Sequence, residues 1–154
     1  MLESSDVLRW KFDGRRAGIT DGDDRQLATI DLFPPAGYAL IVREPSGEVA
    51  IALQKIQTKH WWGYRTYGYR AVDAAGLEIG TLRDRSIGVN DVEVAHLRYR
   101  GVVDCEGNQI AEFSTRKGYQ YQIVFTGPVS SDVRLLIATS IFLVREAERY
   151  QNIG

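Results

Sequence analysis

The sequence contains few of the residues that build metal centres, disulfides or nucleophilic active sites. It has one cysteine, Cys105, and two histidines, His60 and His96, in 154 residues. One cysteine excludes an intrachain disulfide and cannot form a zinc site alone, and neither histidine has a partner at ligand spacing. Asp104 and Glu106 disfavour a thiolate at Cys105. The sequence shows no nucleophile elbow, no phosphate-binding glycine loop and no metalloprotease helix. We therefore expect a protein without catalytic residues, metal or cofactor, and not an enzyme.

The chain also lacks a marked net charge and a long hydrophobic run. Its 19 Lys and Arg against 20 Asp and Glu give a net charge of −1, so we expect no nucleic acid partner. The apolar run Leu135 to Val144 is about half of the roughly 20 residues that a membrane-spanning helix needs. No apolar secretory signal follows the polar start, Met1 to Asp6. We expect a single domain over residues 1–154, placed in the cytoplasm and at most peripherally on a membrane.

One acidic segment, Asp21-Gly22-Asp23-Asp24, has the closely spaced carboxylates that calcium requires. It lacks the downstream glutamate of an EF-hand loop, and its glycine stands in the wrong place. We interpret it as a solvated acidic loop within Asp13 to Gln26, a segment whose glycine and charge content predicts a mobile loop.

The feature that says most about the fold is a helix predicted from Arg134 to Tyr150. Its core, Leu135 to Val144, has no charge on any face, although a helix on a protein surface has a polar side. Ser130, Ser131 and Asp132 supply N-cap oxygens just before it. Protein must therefore surround this helix on all sides.

A turn signal that recurs through the chain predicts that the surrounding structure is β. Each copy has an acidic residue followed three positions later by glycine, which tolerates positive φ, and each lies between strand-like runs. The copies are Glu44-Pro45-Ser46-Gly47, Asp73-Ala74-Ala75-Gly76 and Asp104-Cys105-Glu106-Gly107. We interpret them as repeated β-hairpins.

The flanking runs show the two-residue alternation of half-buried strands. One face of each run is apolar: Leu8, Trp10 and Phe12; Val49, Ile51 and Leu53; Tyr119, Tyr121, Ile123 and Phe125. In Val92 to Arg100 the apolar face continues into His96 and Arg98, which predicts a bulge or a strand that leaves the core. Phe33 to Gly37, with two prolines, predicts a rigid connector before a strand at Tyr38.

Repeated D-x-x-G-x-x-I hairpins followed by one apolar helix resemble the Tubby C-terminal-like superfamily, which includes the phospholipid scramblases and the LURP-one-related proteins. The resemblance covers roughly Tyr38 to Tyr150 and is carried by Leu53-Gln54-Lys55, Tyr69 to Gly80, Val102 to Ile110 and Asp132 to Val144. It implies a closed antiparallel barrel of about 12 strands around the terminal helix, which removes all sheet edges. It also implies a non-enzymatic binding or scaffold domain. Scramblase activity is not implied, because the palmitoylated cysteines and calcium-binding residues of scramblases are absent.

The segment Lys55 to Arg70, KIQTKHWWGYRTYGYR, has the densest local chemistry in the chain. Trp and Tyr suit a boundary between water and lipid, and Lys or Arg beside them can bind phosphate. Tubby domains bind phosphoinositide headgroups through basic residues, so the resemblance also points to an anionic phospholipid surface as a partner. The candidate lipid-binding residues are Lys55, Lys59, Trp61, Trp62, Arg65 and Arg70.

Other interpretations stay open from the sequence. The aromatic residues of this segment could pack a barrel end while the cations are solvated, or they could stack single-stranded nucleic acid. The chain could carry a small apolar ligand in a cavity between the helix and a curved sheet, as in helix-grip folds. An enzyme using Glu93, His96 or Asp104 at a barrel end is a third class, although no acid and base roles are evident.

Overall fold

The chain forms a closed antiparallel β-barrel around a helix in a computed structural model that describes residues 2–13, 16–31, 33–98, 100–116 and 120–140. A short 3-10 helix, Leu2–Ser4, precedes the barrel, and helix α1 occupies residues 131–140 after it. The strands are β1 Val7–Asp13, β2 Arg16–Thr20, β3 Gln26–Asp31, β4 Tyr38–Arg43, β5 Val49–His60, β6 Gly63–Val72, β7 Glu78–Arg83, β8 Ser86–Val89, β9 Val92–Arg98, β10 Gly101–Asp104, β11 Gln109–Arg116 and β12 Gln120–Phe125. The predicted closed antiparallel barrel with a C-terminal helix is confirmed.

Every strand pairs with its neighbours in the chain, and β1 closes the barrel on β12 from Val7 opposite Val124 to Lys11 opposite Gln120. Because the chain runs up and down, its connectors alternate between two ends. We call one end the turn end, which carries connectors 21–25, 44–48, 73–77, 90–91 and 104–108. The other is the ribbon end, whose described connectors include 33–37, 61–62 and 84–85. The helix follows β12 at the turn end.

The second half of the described helix, residues 136–140, is enclosed on all sides. Residues 136–140, Leu136 to Ser140, are each at most 1% exposed. Five successive residues turn through more than a full circle at 3.6 residues per turn, so no side of this segment faces water. Its two polar side chains bond within the helix, where the Thr139 and Ser140 hydroxyls donate to the carbonyls of Leu136 and Ile137. The predicted enclosure is therefore confirmed for residues 136–140, whereas Leu135 is half-buried and residues 141–150 lie outside the described residues.

The helix begins earlier than the sequence suggested. It starts at residue 131 instead of Arg134, because Ser130 is the N-cap: the Ser130 hydroxyl accepts from the Val133 N–H at 3.4 Å, and its carbonyl accepts from the Arg134 N–H at 2.9 Å. Arg134 lies in the first turn and donates to the Ser5 carbonyl at 2.9 Å and to the Asp6 carboxylate at 3.2 Å. These bonds connect the start of the helix to the N-terminal segment.

The turn end repeats one hairpin geometry. In the loops that start at Asp73 and Asp104, the backbone N–H of the first residue donates to the carbonyl of the fifth, and the first carboxylate accepts two further backbone N–H groups at 2.9 Å. Gly76 and Gly107 have φ of 81° and 85°, as expected for a type I turn that ends in a left-handed residue. The loop at Glu44 has the same backbone bonds, and Gly47 has a φ of 92°. All three predicted hairpin turns are confirmed.

The sequence analysis missed a fourth copy of this turn, at Asp21 to Arg25. The Asp21 N–H donates to the Arg25 carbonyl at 3.0 Å, and the Asp21 carboxylate accepts from Asp23 and Arg25 N–H at 2.8 and 2.9 Å. Asp24 takes the place of glycine with a φ of 61°. A hydrogen bond from Lys11, at 3.0 Å, lowers the pKa of the Asp24 carboxyl. The acidic segment is thus a tight hairpin turn.

The prediction of a mobile loop over Asp13 to Gln26 was therefore wrong. The segment includes β2 as well as the turn, and β2 buries Ala17 and Ile19 while Gly18 faces outward. Charged residues dominate the composition of the segment, but two inward-facing apolar residues are enough for a short barrel strand.

Each of these hairpins also has a β-bulge six residues after its acidic residue. The register shifts so that one residue has no partner across the hairpin, and these residues are Leu27, Ala50, Ile79 and Ile110. All are apolar and pack in or against the core. The last position of the D-x-x-G-x-x-I motif is therefore the bulged residue, which increases the local twist that a closed barrel needs.

The alternation in the strands is also as predicted for the described side chains. Leu8, Trp10, Ile51, Leu53 and Ile123 are fully buried. In β9 the register shifts opposite β8, which places Ala95 and Leu97 in the core and leaves Val92 exposed. The predicted bulge in this strand is confirmed.

Gly80 is the point at which the wall approaches the helix most tightly among the glycines described. A Cβ atom there would lie 2.7 Å from Leu136 Cδ1 and 2.5 Å from the carbonyl oxygen of Gly88. Real Cβ atoms do not approach other atoms so closely, so both the Gly88 carbonyl and the Leu136 side chain would have to move.

We expect Gly80→Ala to lower the free energy of unfolding by about 1 to 3 kcal/mol, because it overpacks the interface between the wall and the helix. Urea denaturation followed by circular dichroism measures the change. Gly127→Ala is the control, since its Cβ would meet the nearest atoms at 3.7 Å, an ordinary contact. Equal stability of the two variants would contradict the close packing of β7 on α1.

We expect Gly76→Ala to cost about 1 kcal/mol, because an alanine must adopt a left-handed φ at the end of the turn. The matched change is Gly22→Ala in the equivalent turn, where φ is not positive and the nearest atom would be 3.5 Å away. We expect that variant to be neutral or slightly more stable. Thermal unfolding of both variants measures the difference, and a destabilised Gly22→Ala beside an unchanged Gly76→Ala would refute the turn assignment.

Candidate functional site

The hairpin of β5 and β6 projects beyond the barrel wall. β4 pairs with β5 only as far as Gln54, and β7 pairs with β6 only from Tyr69 onward. In the part of the chain that the structure describes, residues 56–60 and 63–68 therefore pair only with each other. At about 3.3 Å per residue this two-stranded ribbon extends roughly 15 Å from the ribbon end. We call residues 55–70 the ribbon.

The tip of the ribbon is strongly aromatic and exposed. Trp61 is 96% exposed in the turn itself, and Trp62 beside it is 57% exposed. Tyr64 and Tyr67 are also among the exposed large hydrophobic residues. A soluble domain normally buries tryptophan for the most part, so such exposure at the end of a projecting hairpin indicates contact with something other than water.

The two faces of the ribbon differ in chemistry. On the face that continues the barrel interior, Lys59 lies opposite Tyr64, and Gln57 lies opposite Thr66 with a side-chain hydrogen bond of 3.3 Å. Lys55 is on the same face, where it lies opposite Tyr69 at the barrel mouth. This inner face therefore carries two lysines among polar and tyrosine side chains.

The outer face holds a stacked aromatic cluster. The His60 and Trp62 rings are parallel, 4.9 Å apart with an angle of 3° between them. His60 Nε2 and the Tyr67 hydroxyl form a hydrogen bond of 3.0 Å, and the Arg65 guanidinium lies 5.3 Å from the centre of the Tyr67 ring. These contacts hold the side chains of the tip in one arrangement although the ribbon has no wall beside it.

A bulge separates the ribbon from the barrel wall. Gln57 pairs with Thr66 and Ile56 with Gly68, so Tyr67 is the extra residue. The bulge lets Tyr69 pack against the core while Tyr67 joins the outer cluster. Gly68 is needed because a Cβ there would lie 2.7 Å from the Leu82 carbonyl oxygen and 2.9 Å from Arg83 Cγ.

The structure brings the six candidate residues to the ribbon but places them on different faces. Lys55 and Lys59 are on the inner face, Trp61 is at the tip, and Trp62 and Arg65 are on the outer face. Arg70 lies on the outer side of the wall, with its Nε 3.5 Å from a Glu78 carboxylate oxygen. The charge of Arg70 is therefore partly balanced.

Sequence reasoning missed two features near the barrel ends. Phe33 is 85% exposed in the connector at the ribbon end. The two prolines that follow it predicted a rigid connector but not an exposed aromatic residue. His96 Nδ1 lies 3.1 Å from a Glu93 carboxylate oxygen in an exposed side-chain hydrogen bond, which their three-residue spacing did not reveal because a bulge separates them.

The residues of the enzyme alternative lie near one another at the turn end, where Glu93 and His96 are in side-chain contact and Asp104 pairs with Ala95. The Asp104 carboxylate accepts two backbone N–H groups in its turn, and the Cys105 thiol donates to the Glu93 carbonyl at 2.7 Å. Both groups have structural partners.

Among the described residues, no group of three or more His, Cys, Asp or Glu lies close enough to hold a metal ion. Likewise, none of the described helices has the length and apolar character required to cross a bilayer.

A solved structure of another protein has the same fold as this chain. No family model and no curated protein matches the sequence. Among solved structures, the chain is similar to the crystal structure of a protein from Arabidopsis thaliana, with a TM-score of 0.63 and 13% sequence identity. The match covers 92% of this chain and 90% of the Arabidopsis chain, so the two proteins share the fold over nearly their whole lengths.

Proposed function

We propose that this protein is a Tubby C-terminal-like barrel that acts as a non-enzymatic binding or scaffold domain, and that its ribbon binds anionic phospholipid at a membrane surface. The observation that carries the proposal is the exposure of Trp61 and Trp62 at the tip of a projecting hairpin. Tryptophan partitions to the boundary between headgroups and acyl chains, and a ribbon beyond the wall can reach that boundary without unfolding the barrel.

The charge of the ribbon supports the same function. Residues 55–70 contain Lys55, Lys59, Arg65 and Arg70 and no acidic residue. Each cation held near an anionic leaflet contributes about 1 kcal/mol of binding free energy. Aromatic insertion and charge attraction therefore act at the same place, which is the combination of two signals that peripheral membrane proteins need.

The spacing of the cations favours a charged surface over a single headgroup. Lys55 and Lys59 are four residues apart on one strand, or about 13 Å between their Cα atoms, and Arg65 lies on the opposite face. Cations so distributed contact several lipids at once. Phosphoinositides would bind because of their high negative charge. Other anionic lipids would bind more weakly, according to their lower charge.

The alternative function is that of a carrier for a small apolar ligand. It needs a cavity between the helix and the sheet, and in helix-grip folds the helix is amphipathic. Residues 136–140 are buried on every side, and β7 contacts Leu136 without room for a methyl group at Gly80. This packing favours the scaffold over the carrier.

We expect the protein to sediment with liposomes that contain phosphatidylserine or phosphatidylinositol bisphosphate, and expect the bound fraction to fall as salt is raised. Trp61→Ala/Trp62→Ala should reduce binding at every salt concentration. Lys55→Ala/Lys59→Ala/Arg65→Ala should weaken it by up to about 100-fold, at about 1 kcal/mol per cation, and should remove most of the salt dependence.

The control is Leu77→Ala, which removes a 67% exposed apolar side chain from the turn end. It should bind as the native protein does. A single-stranded oligonucleotide should not compete with the liposomes. Absence of binding to any anionic liposome at low salt would exclude the lipid function and leave only a scaffold for protein partners.

A further inference from the structure

Although the net charge of the chain is near zero, acidic and basic residues lie at opposite ends of the barrel. The connectors of the turn end are acidic, and Arg25 is the basic residue within them. The acidic residues of these connectors are Asp21, Asp23, Asp24, Glu44, Glu48, Asp73, Asp91, Asp104 and Glu106. Asp21, Glu44, Asp73 and Asp104 are half-buried, and the others are exposed.

The ribbon end has the opposite sign. Arg83 and Arg85 flank Asp84 at the connector between β7 and β8, and Arg98 ends β9. All three arginines are exposed. Together with Lys55, Lys59 and Arg65 on the ribbon they form a basic surface around the exposed aromatic tip.

We propose that the barrel docks end-on to an anionic membrane, with the ribbon end toward the lipid and the acidic turn end pointing into solution. This inference rests on the proposed lipid binding and adds the orientation of the bound protein. Phe33, which is 85% exposed in the connector 33–37 at the same end, would then face the lipid.

Screening makes this orientation effective despite the net charge of −1. A seven-residue strand such as β9 spans about 20 Å, and the Debye length at physiological salt is about 8 Å. The membrane therefore attracts the near end while the acidic end lies more than two Debye lengths away. In the reversed orientation the acidic end would be near and would be repelled.

A charge-matched pair of variants tests the contribution of each end. Arg98→Gln and Arg25→Gln change the net charge equally, but Arg98 is at the ribbon end and Arg25 at the turn end. We expect Arg98→Gln to weaken binding to phosphatidylserine vesicles about five-fold, which corresponds to about 1 kcal/mol for one cation near the surface. Arg25→Gln should bind as the native protein does. Equal weakening by both variants would overturn the orientation, because binding would then follow net charge alone.

A depth probe tests the orientation directly. The native Cys105 is exposed at the turn end and can carry an environment-sensitive fluorophore, and Cys105→Ser/Phe33→Cys moves that fluorophore to the ribbon end. With vesicles that contain phosphatidylserine and brominated lipids, we expect a blue shift and quenching at position 33 and neither at position 105.

The outcomes separate the two proposals. Vesicle binding with quenching at position 105, or at both positions, would overturn the end-on orientation and leave lipid binding intact. Failure of both labelled proteins and the unlabelled protein to sediment with the vesicles would overturn the lipid function and the orientation together.

Discussion

The structure depends on the enclosure of a helix that has no polar face. A twelve-stranded barrel is wide, and its inward side chains need a central element to pack against. The buried segment 136–140 of the helix, in turn, requires a wall on every side. Its two polar side chains, Thr139 and Ser140, bond to carbonyls within the helix and so ask nothing of that wall. Wall and helix therefore stabilise each other, and neither is a plausible folding unit alone. Gly80 shows how tight this arrangement is, since a single Cβ atom there would overlap the Leu136 side chain and the Gly88 carbonyl.

The closed wall is built by repeating one hairpin, and that repetition has an electrostatic consequence. The turn needs a carboxylate as its first residue in three of the four copies, because Asp21, Asp73 and Asp104 accept backbone N–H groups that would otherwise lack a partner. Since all copies lie at one end of an up-and-down barrel, the acidic residues that make the turns collect there. At the ribbon end, lysine and arginine are the main charged residues. The need for a carboxylate in each turn therefore contributes to the separation of charge between the two ends of the barrel.

The ribbon arises from a difference in strand length. β5 and β6 continue after β4 and β7 have ended, so their last residues have no wall beside them. A free ribbon of this kind is weakly stable by itself. Here the stacked His60 and Trp62 rings, the His60–Tyr67 hydrogen bond and the Gln57–Thr66 hydrogen bond replace the support of neighbouring strands. The bulge at Tyr67 decides which side chains face outward. Together, these features present the aromatic tip in a defined form away from the core.

The sequence by itself determined the local geometry and the need for enclosure. Three patterns depend only on residues close together in the chain: a helix core without charge, an acidic residue with Gly three positions later, and alternating apolar residues. The described residues have the corresponding buried helix segment, hairpin turns and strands. The fourth turn escaped notice because Asp24 adopts a left-handed φ, and aspartate signals that conformation far more weakly than glycine does. The helix start at residue 131 likewise depended on which of three adjacent polar residues became the N-cap, a choice among oxygens of nearly equal chemistry. Only the tertiary structure decided three features: the ribbon leaves the wall, its cations divide between two faces, and the acidic and basic connectors lie at opposite ends. Each of them depends on which strands become neighbours and where their pairing stops.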